Sequence, residues 1–248
     1  MTTHPRLQRI ANQAILFAAG LGTRLRPLTN DRPKALVEVD GTPMLGHVLR
    51  RLVRFGFTEV VVNVHHFAGK VEAYLAGEDF GATIHISDER DAILETGGGL
   101  LKARPFFRDD QPILVHNVDI FSTVDLRRLV ETHVESGALA TLAVSERDTS
   151  RYLLFDADGQ LAGWRNVQTG ETRWSRRSED VEPLALSGIY VLDPQFIGLM
   201  TERGKFSVID PLLRLAADHS IRAYRHDASG WLDVGRPENL QHARHMIS

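Results

Sequence analysis

Apolar runs and helical stripes alternate along the first 145 residues. Ile15 to Ala19 is continuously apolar, the mark of a strand buried on both faces. After Pro43, Met44, Leu45, Val48, Leu49, Leu52 and Val53 recur at helical spacing, and Gly56 predicts the stop. Glu59 to Val64 reads as the next strand, and Phe67, Val71, Tyr74 and Leu75 mark the next helix. Ala82 to Ile86, Ile113 to His116 and Leu139 to Val144 are further strands. Leu126, Leu129, Val130, His133 and Val134 form a helical stripe that ends near Gly137.

This alternation predicts an α/β fold with a Rossmann-like, doubly wound, mostly parallel sheet. Ligands of such sheets sit outside the carboxyl ends of the strands. Three segments should therefore meet: Gly20 to Lys34, Ser87 to Gly99, and Asn117 to Asp119. The second half reads differently. Tyr152 to Phe155, a turn at Asp156-Ala157-Asp158-Gly159, and Leu161 to Arg165 predict a hairpin. Ser187 to Leu192 is another strand. There is no internal repeat, and no hexapeptide array that would predict an attached β-helix.

Composition narrows the function classes. Hydrophobic residues at 43% and charged residues at 25% are ordinary for a globular chain. A formal charge of −3 leaves no basic excess for a broad nucleic-acid surface. The absence of cysteine excludes disulfides, thiolate metal sites and a cysteine nucleophile, and is compatible with a reducing cytoplasm, the expected location. No apolar run approaches the ~18 residues of a membrane span. Met1 to Gln13 lacks the apolar stretch of a signal peptide and reads as a short polar extension.

Candidate chemistry begins where the first strand runs into Ala18-Ala19-Gly20-Leu21-Gly22-Thr23-Arg24-Leu25-Arg26-Pro27. Small residues let the backbone approach a ligand closely, so that successive N–H groups can face phosphate oxygens. Arg24 and Arg26 add planar forks of donors. Lys34, in Pro33-Lys34-Ala35-Leu36, offers a compact cation. A dinucleotide fingerprint would need a third glycine where Leu25 stands, and G-x-x-x-x-G-K-[ST] does not occur.

Two aspartates follow short apolar segments: Asp119 in His116-Asn117-Val118-Asp119, and Asp233 in Trp231-Leu232-Asp233-Val234-Gly235. Magnesium takes oxygen ligands and often only one or two carboxylates, with phosphate and water completing its shell. Glu95-Thr96-Gly97-Gly98-Gly99 precedes a predicted helix at Leu100 to Ala103, and its glycines could face a flat base or a sugar.

The loop, Lys34 and the aspartates together resemble the signature of the sugar-1-phosphate nucleotidyltransferases, over about Ala14 to Leu240. The resemblance implies the nucleotide-diphospho-sugar transferase fold and the reaction of an NTP with a sugar 1-phosphate to give NDP-sugar and pyrophosphate. It assigns the nucleotide to Ala19, Gly20, Leu21, Gly22, Thr23, Arg24, Lys34, Gly97 and Asn117. Arg24, Lys34 and Asp119 are the implied catalytic residues, and Asp119 and Asp233 the implied Mg²⁺ ligands. Gly98, Arg165 and Gly188 are assigned to the sugar phosphate. A single domain over 14–248 is expected, with a nucleotide-binding half to about 145 and a small acceptor-binding subregion beyond it, as monomer or homodimer.

Within the family, the tri-glycine segment, Val62-Asn63-Val64-His65, Ser187-Gly188-Ile189-Tyr190-Val191 and Gly204-Lys205-Phe206-Ser207 resemble the branch that uridylylates N-acetylmuramate α-1-phosphate in cell-wall recycling. Guanylyl or thymidylyl transfer to mannose, heptose or glucose 1-phosphate is the alternative. Three departures stand out. Val118 replaces a common glycine. Ser87-Asp88-Glu89-Arg90-Asp91 lacks the glutamine that often reads the base. Gly163-Trp164-Arg165-Asn166 lacks a Glu-Lys pair, with Arg165 as the candidate substitute. The rival from another class is a non-catalytic nucleotide-sugar sensor, which would tend to lose the Arg, Lys or Asp positions that are all kept here.

Overall fold

The computed structural model describes residues 11–246. Residues 1–10 of the predicted extension lie outside the described residues, and Gln13 already belongs to the first strand. The strands are β1 (Gln13–Phe17), β2 (Glu38–Val39), β3 (Thr42–Pro43), β4 (Glu59–Val64), β5 (Thr83–Asp88), β6 (Ile113–Asn117), β7 (Ile120–Ser122), β8 (Ala140–Ser145), β9 (Arg151–Phe155), β10 (Leu161–Asn166), β11 (Thr172–Trp174), β12 (Glu182–Leu192), β13 (Ile221–Arg225) and β14 (Trp231–Asp233). The helices are α1 (Met44–Arg54), α2 (Ala68–Ala76), α3 (Glu95–Ala103), α4 (Leu126–Ser136), α5 (Gln195–Gly198), α6 (Ile209–Leu215) and α7 (Pro237–Leu240).

One mixed sheet runs through both halves in the order β11-β10-β9-β12-β6-β1-β4-β5, with β8 pairing both β12 and β13. Its nucleus is parallel, because β1 pairs β4 and β6, and β4 pairs β5. Alternate side chains of each central strand enter opposite cores. Ala14 and Leu16 of β1, Val60 and Val62 of β4, and Leu114 of β6 pack with α1, α2 and α4. Ile15, Val61, Ile113 and Val115 pack with α3, α5 and α6. This two-sided burial explains why the strands read as continuous apolar runs.

Three elements differ from the sequence pattern. The first strand ends at Phe17, two residues earlier than the apolar run, because the N–H groups of Ala18 and Ala19 turn to the side chain of Asn63. α3 begins at Glu95, so the three glycines lie inside the helix instead of before it. Packing overrides their poor helix propensity there: a Cβ on Gly97 would lie 2.4 Å from the Phe206 ring, and one on Gly98 2.2 Å from the Gly204 carbonyl oxygen. β12 is far longer than Ser187 to Leu192, because its first half crosses to pair with β9.

β7 and β14 are too short to show in the pattern, yet they assemble the site. They pair antiparallel, with Asp233 opposite Ile120, and the Val234 N–H donates to the Asp119 carbonyl at 2.8 Å.

Candidate active site

The carboxyl ends of β1, β4 and β6 open onto a cavity of about 380 Å³ lined by Gly20, Lys34, Asn63, Glu89, Thr96, Asn117, Asp119 and Ser207, among others. The glycine-rich loop forms one wall. Gly22 adopts φ 65° ahead of a 3-10 turn at Thr23–Leu25, a conformation that suits glycine. A Cβ there would lie 2.9 Å from both Lys34 and Thr29. The Thr29 hydroxyl donates to the Gly22 carbonyl at 2.8 Å and so pins the loop. Gly20 leaves space for the Lys34 ammonium, whose Nζ is 3.3 Å from where a Cβ would stand. Leu21 is exposed at the tip.

Lys34, Arg24, Asp119 and Asp233 converge. The Lys34 ammonium lies 2.7 Å from Asp119 Oδ2. The Arg24 guanidinium lies 3.1 Å from Asp233 Oδ2 and 3.9 Å from Asp119 Oδ2. Arg236 approaches Asp233 at 3.6 Å. Gly235 fits between the two carboxylates: a Cβ on it would lie 2.7 Å from Asp119 Oδ2 and 2.9 Å from Asp233 Oδ1. The gap between the carboxylates is thus kept open by a missing side chain. Two carboxylates around an open gap are a hard, oxygen-only donor set that suits magnesium. Among the described residues no group of three or more His, Asp or Glu side chains could hold an ion. Phosphate and water must therefore complete any shell.

The other sequence candidates divide. Asn117 ends β6 and lines the cavity, and Gly188 (φ 72°) backs it, because a Cβ there would meet the Asn117 amide at 2.8 Å. Burial pushes the pKa of His116 down to about 3, so the imidazole is neutral. The Asn117 carbonyl can only accept, so Nδ1 of His116 carries the proton and donates to it at 2.8 Å. Gly97 and Gly98 are used differently. Both N–H groups go to the Phe206 carbonyl, at 3.0 and 3.3 Å, instead of facing the cavity. Arg165 lies on β10 opposite Tyr152 of β9 and Thr172 of β11, so these three share one face of the sheet.

Several site residues escaped the sequence reading. Asn63 Oδ1 accepts the N–H groups of Ala18 and Ala19 at 2.6 and 3.1 Å, and its Nδ2 donates to Glu89 Oε1 at 2.7 Å. Asn63 and Glu89 are buried. A polar residue inside Val60 to Val64 was the available signal. Arg236 carried none beyond its charge.

Comparisons with known proteins give the family and the fold. The nucleotidyl transferase family model matches residues 13–248. The chain is 40% identical to an N-acetylmuramate α-1-phosphate uridylyltransferase of Neisseria meningitidis, covering 94% of this chain and 96% of that protein. It is 34% identical to the Caulobacter vibrioides protein of the same name, covering 91% and 92%. A mannose-1-phosphate guanyltransferase of Pichia angusta is 30% identical over 92% of this chain and 62% of its own length. Among solved structures, UDP-glucose pyrophosphorylase of Acinetobacter baumannii shares the fold with a TM-score of 0.79 at 19% identity, covering 95% and 92%. HddC of Yersinia pseudotuberculosis does so with 0.75 at 20%, covering 96% and 100%. No helix among the described residues is long and apolar enough to cross a membrane. The chain belongs to the nucleotidyl transferase family and is a sugar-1-phosphate nucleotidyltransferase, of a family that usually works with a divalent metal.

Proposed function

We propose that this chain transfers a uridylyl group from UTP to N-acetylmuramate α-1-phosphate, with Mg²⁺ as its metal and pyrophosphate as the second product. The convergence of Lys34, Arg24, Asp119 and Asp233 around Gly235 carries the transfer chemistry. The base and the sugar follow the two bacterial relatives, which align along nearly their whole length.

The acceptor's phosphate oxygen attacks the α-phosphorus in line. The new O–P bond forms as the bond from the α-phosphorus to the bridging oxygen breaks, and pyrophosphate leaves. The attacking oxygen is already anionic near neutral pH, so no general base is needed, and catalysis reduces to positioning and charge stabilisation. The loop from Gly20 to Arg24 holds the triphosphate. Lys34 leans over Gly20 and faces charge growing on the α-phosphoryl oxygens, and Arg24 faces the departing pyrophosphate. Asp119 and Asp233 would hold a metal ion, which supplies Lewis-acid stabilisation of phosphate oxygens when bound. With phosphates at the loop, the base extends toward Glu89, Ile93 and Thr96.

Residues to about 145 serve the nucleotide in this reading, and the β9–β11 region serves the acceptor. The chain works in the cytoplasm, where NTPs are found, as monomer or homodimer. UTP, GTP, dTTP, CTP and ATP tested against a panel of sugar 1-phosphates, with products read by mass spectrometry, decide the assignment. A product formed only with GTP would replace uridylyl by guanylyl transfer, and no product with any pair would remove the transferase reading.

A further inference from the structure

Beyond the aspartates, β14 carries a second feature on the same face. Trp231 and Asp233 are two residues apart on an extended strand, so their side chains point to one side, about 7 Å apart along it. The guanidinium of Arg147 lies over the Trp231 ring, with Cζ 3.8 Å from the ring centroid. The indole is itself fixed: its Nε1–H donates to the Ser187 carbonyl at 2.9 Å, and the Ser187 hydroxyl meets His226 Nε2 at 2.7 Å in a buried contact. One arm of Arg147 donates to the Leu186 carbonyl at 2.7 Å, while its buried Nε has no hydrogen-bond partner.

Burial lowers the pKa of Arg147, and the charge of Asp233 offsets part of that shift. Arg147 nevertheless forms no ion pair among the described residues, although Arg24, Lys34 and Arg236 all do. A half-buried guanidinium without a counter-ion is costly unless something supplies the anion. The loop that carries Arg147 is tied to Tyr152, whose hydroxyl accepts the Thr149 N–H at 3.2 Å, and Tyr152 shares a sheet face with Arg165. The cation therefore looks onto the acceptor side of the site.

We propose that Arg147 reads a carboxylate carried by the acceptor sugar, one ring's breadth from the reacting phosphate, with Trp231 fixing the plane of the guanidinium. The proposal rests on the transferase reading above and makes Arg147 a specificity-determining residue for an acidic sugar 1-phosphate. Stacking holds the fork of donors ready for a planar anion, which a flexible lysine would not match.

The test compares N-acetylmuramate α-1-phosphate with its primary carboxamide, which differ at the carboxyl group, using wild type, Arg147→Gln and Arg147→Lys with UTP and Mg²⁺. In wild type the acid is preferred. Arg147→Gln lowers the acid-to-amide ratio of kcat/KM by about 30-fold, as expected for a lost charge-assisted hydrogen bond. The loss appears in the KM of the acid and not in that of UTP, and Arg147→Lys recovers only part of it. Equal losses on both acceptors would overturn the proposal, since Arg147 would then hold the common phosphate or merely brace Leu186. A wild type indifferent to acid and amide would overturn it as well. If Arg147→Gln fails to fold, the ratio measured in Arg147→Lys decides. Wild type that turns over neither acceptor with any NTP would remove the transferase reading, and the proposal with it.

Discussion

Nζ of Lys34 lies 2.7 Å from Oδ2 of Asp119, and both side chains are mostly buried. The pair joins a 3-10 turn after the loop to the end of β6, and Gly20 leaves the space that the ammonium occupies. A phosphate entering beside Gly20 meets a cation already in place, so little reorganisation is needed as charge develops.

Lys34→Met should therefore lower kcat by about 100-fold or more, the scale seen when one preorganised donor is removed. The KM of the nucleotide should move less. Lys34→Arg should not rescue fully, because a planar guanidinium fork does not place its charge as a compact ammonium does. Pyrophosphate release at saturating substrates measures this. A loss below ten-fold would make the pair a structural ion pair only.

Gly235→Ala isolates the gap between the carboxylates. Gly235 does not adopt a positive φ, so the backbone itself accepts alanine. The methyl group would instead press on Asp119 Oδ2, Asp233 Oδ1 and an Arg24 nitrogen at 2.7, 2.9 and 3.0 Å. The apparent Mg²⁺ constant for activation should rise by about ten-fold, as for other changes next to a metal's ligands. Titration of activity with MgCl₂, beside a thermal melt that shows the fold intact, gives the answer.

The central sheet was legible because its strands are buried on both faces and its helices on one, so the two periods separate cleanly in the sequence. The loop, Lys34 and the aspartates were legible as motifs. Three things were not. The three-residue strands β7 and β14 are too short for any period, yet their pairing joins Asp119 to Asp233. Gly97, Gly98 and Gly99 read as a segment before the helix that could face a base or a sugar, because composition does not reveal a packing partner. Phe206, Gly204 and Glu89 are those partners, and each comes from a distant segment. Arg147 carries no motif at all, and only the fold sets it over Trp231.

His133 makes the fold sensitive to acid. It is buried in α4, its Nδ1 meets the Thr141 hydroxyl at 3.0 Å, and burial pushes its pKa from 6.5 down to about 4. The unfolded chain thus binds a proton here that the folded chain refuses. Its contribution is complete above pH 6.5 and is lost as pH falls from there toward 4. The loss is on the order of 3 kcal/mol at most, at 1.36 kcal/mol per pKa unit. His133→Gln removes this titration. Unfolding by urea at a series of pH values should show a shallower decline between pH 6.5 and 4 than in wild type. Parallel curves would mean that His133 is protonated in the fold.

Asn63 gives the sharpest test of how the loop is held. Only a carboxamide can accept two N–H groups on one side and donate to a carboxylate on the other, and Asn63 does so with Ala18, Ala19 and Glu89. Asn63→Leu strands all three partners in a buried place and should cost about 3 kcal/mol or more, given ~1–3 kcal/mol for each buried polar group left unpaired. Asn63→Asp differs in kind. It keeps the acceptor for the loop but sets a second carboxylate against Glu89 Oε1, where the amide contact is 2.7 Å. Two carboxylates that close cannot both ionise, so one folded-state pKa rises above its unfolded value. A raised pKa stabilises below the unfolded value, and that help is lost as pH climbs through the folded value. The deficit of Asn63→Asp relative to wild type should therefore shrink as pH falls, the reverse of the trend that His133 imposes. Because the loop keeps its acceptor, the KM for nucleotide should also recover at low pH in Asn63→Asp and not in Asn63→Leu. Paired denaturation curves and nucleotide titrations across pH measure both. A deficit that stays constant with pH would show that Glu89 does not feel position 63.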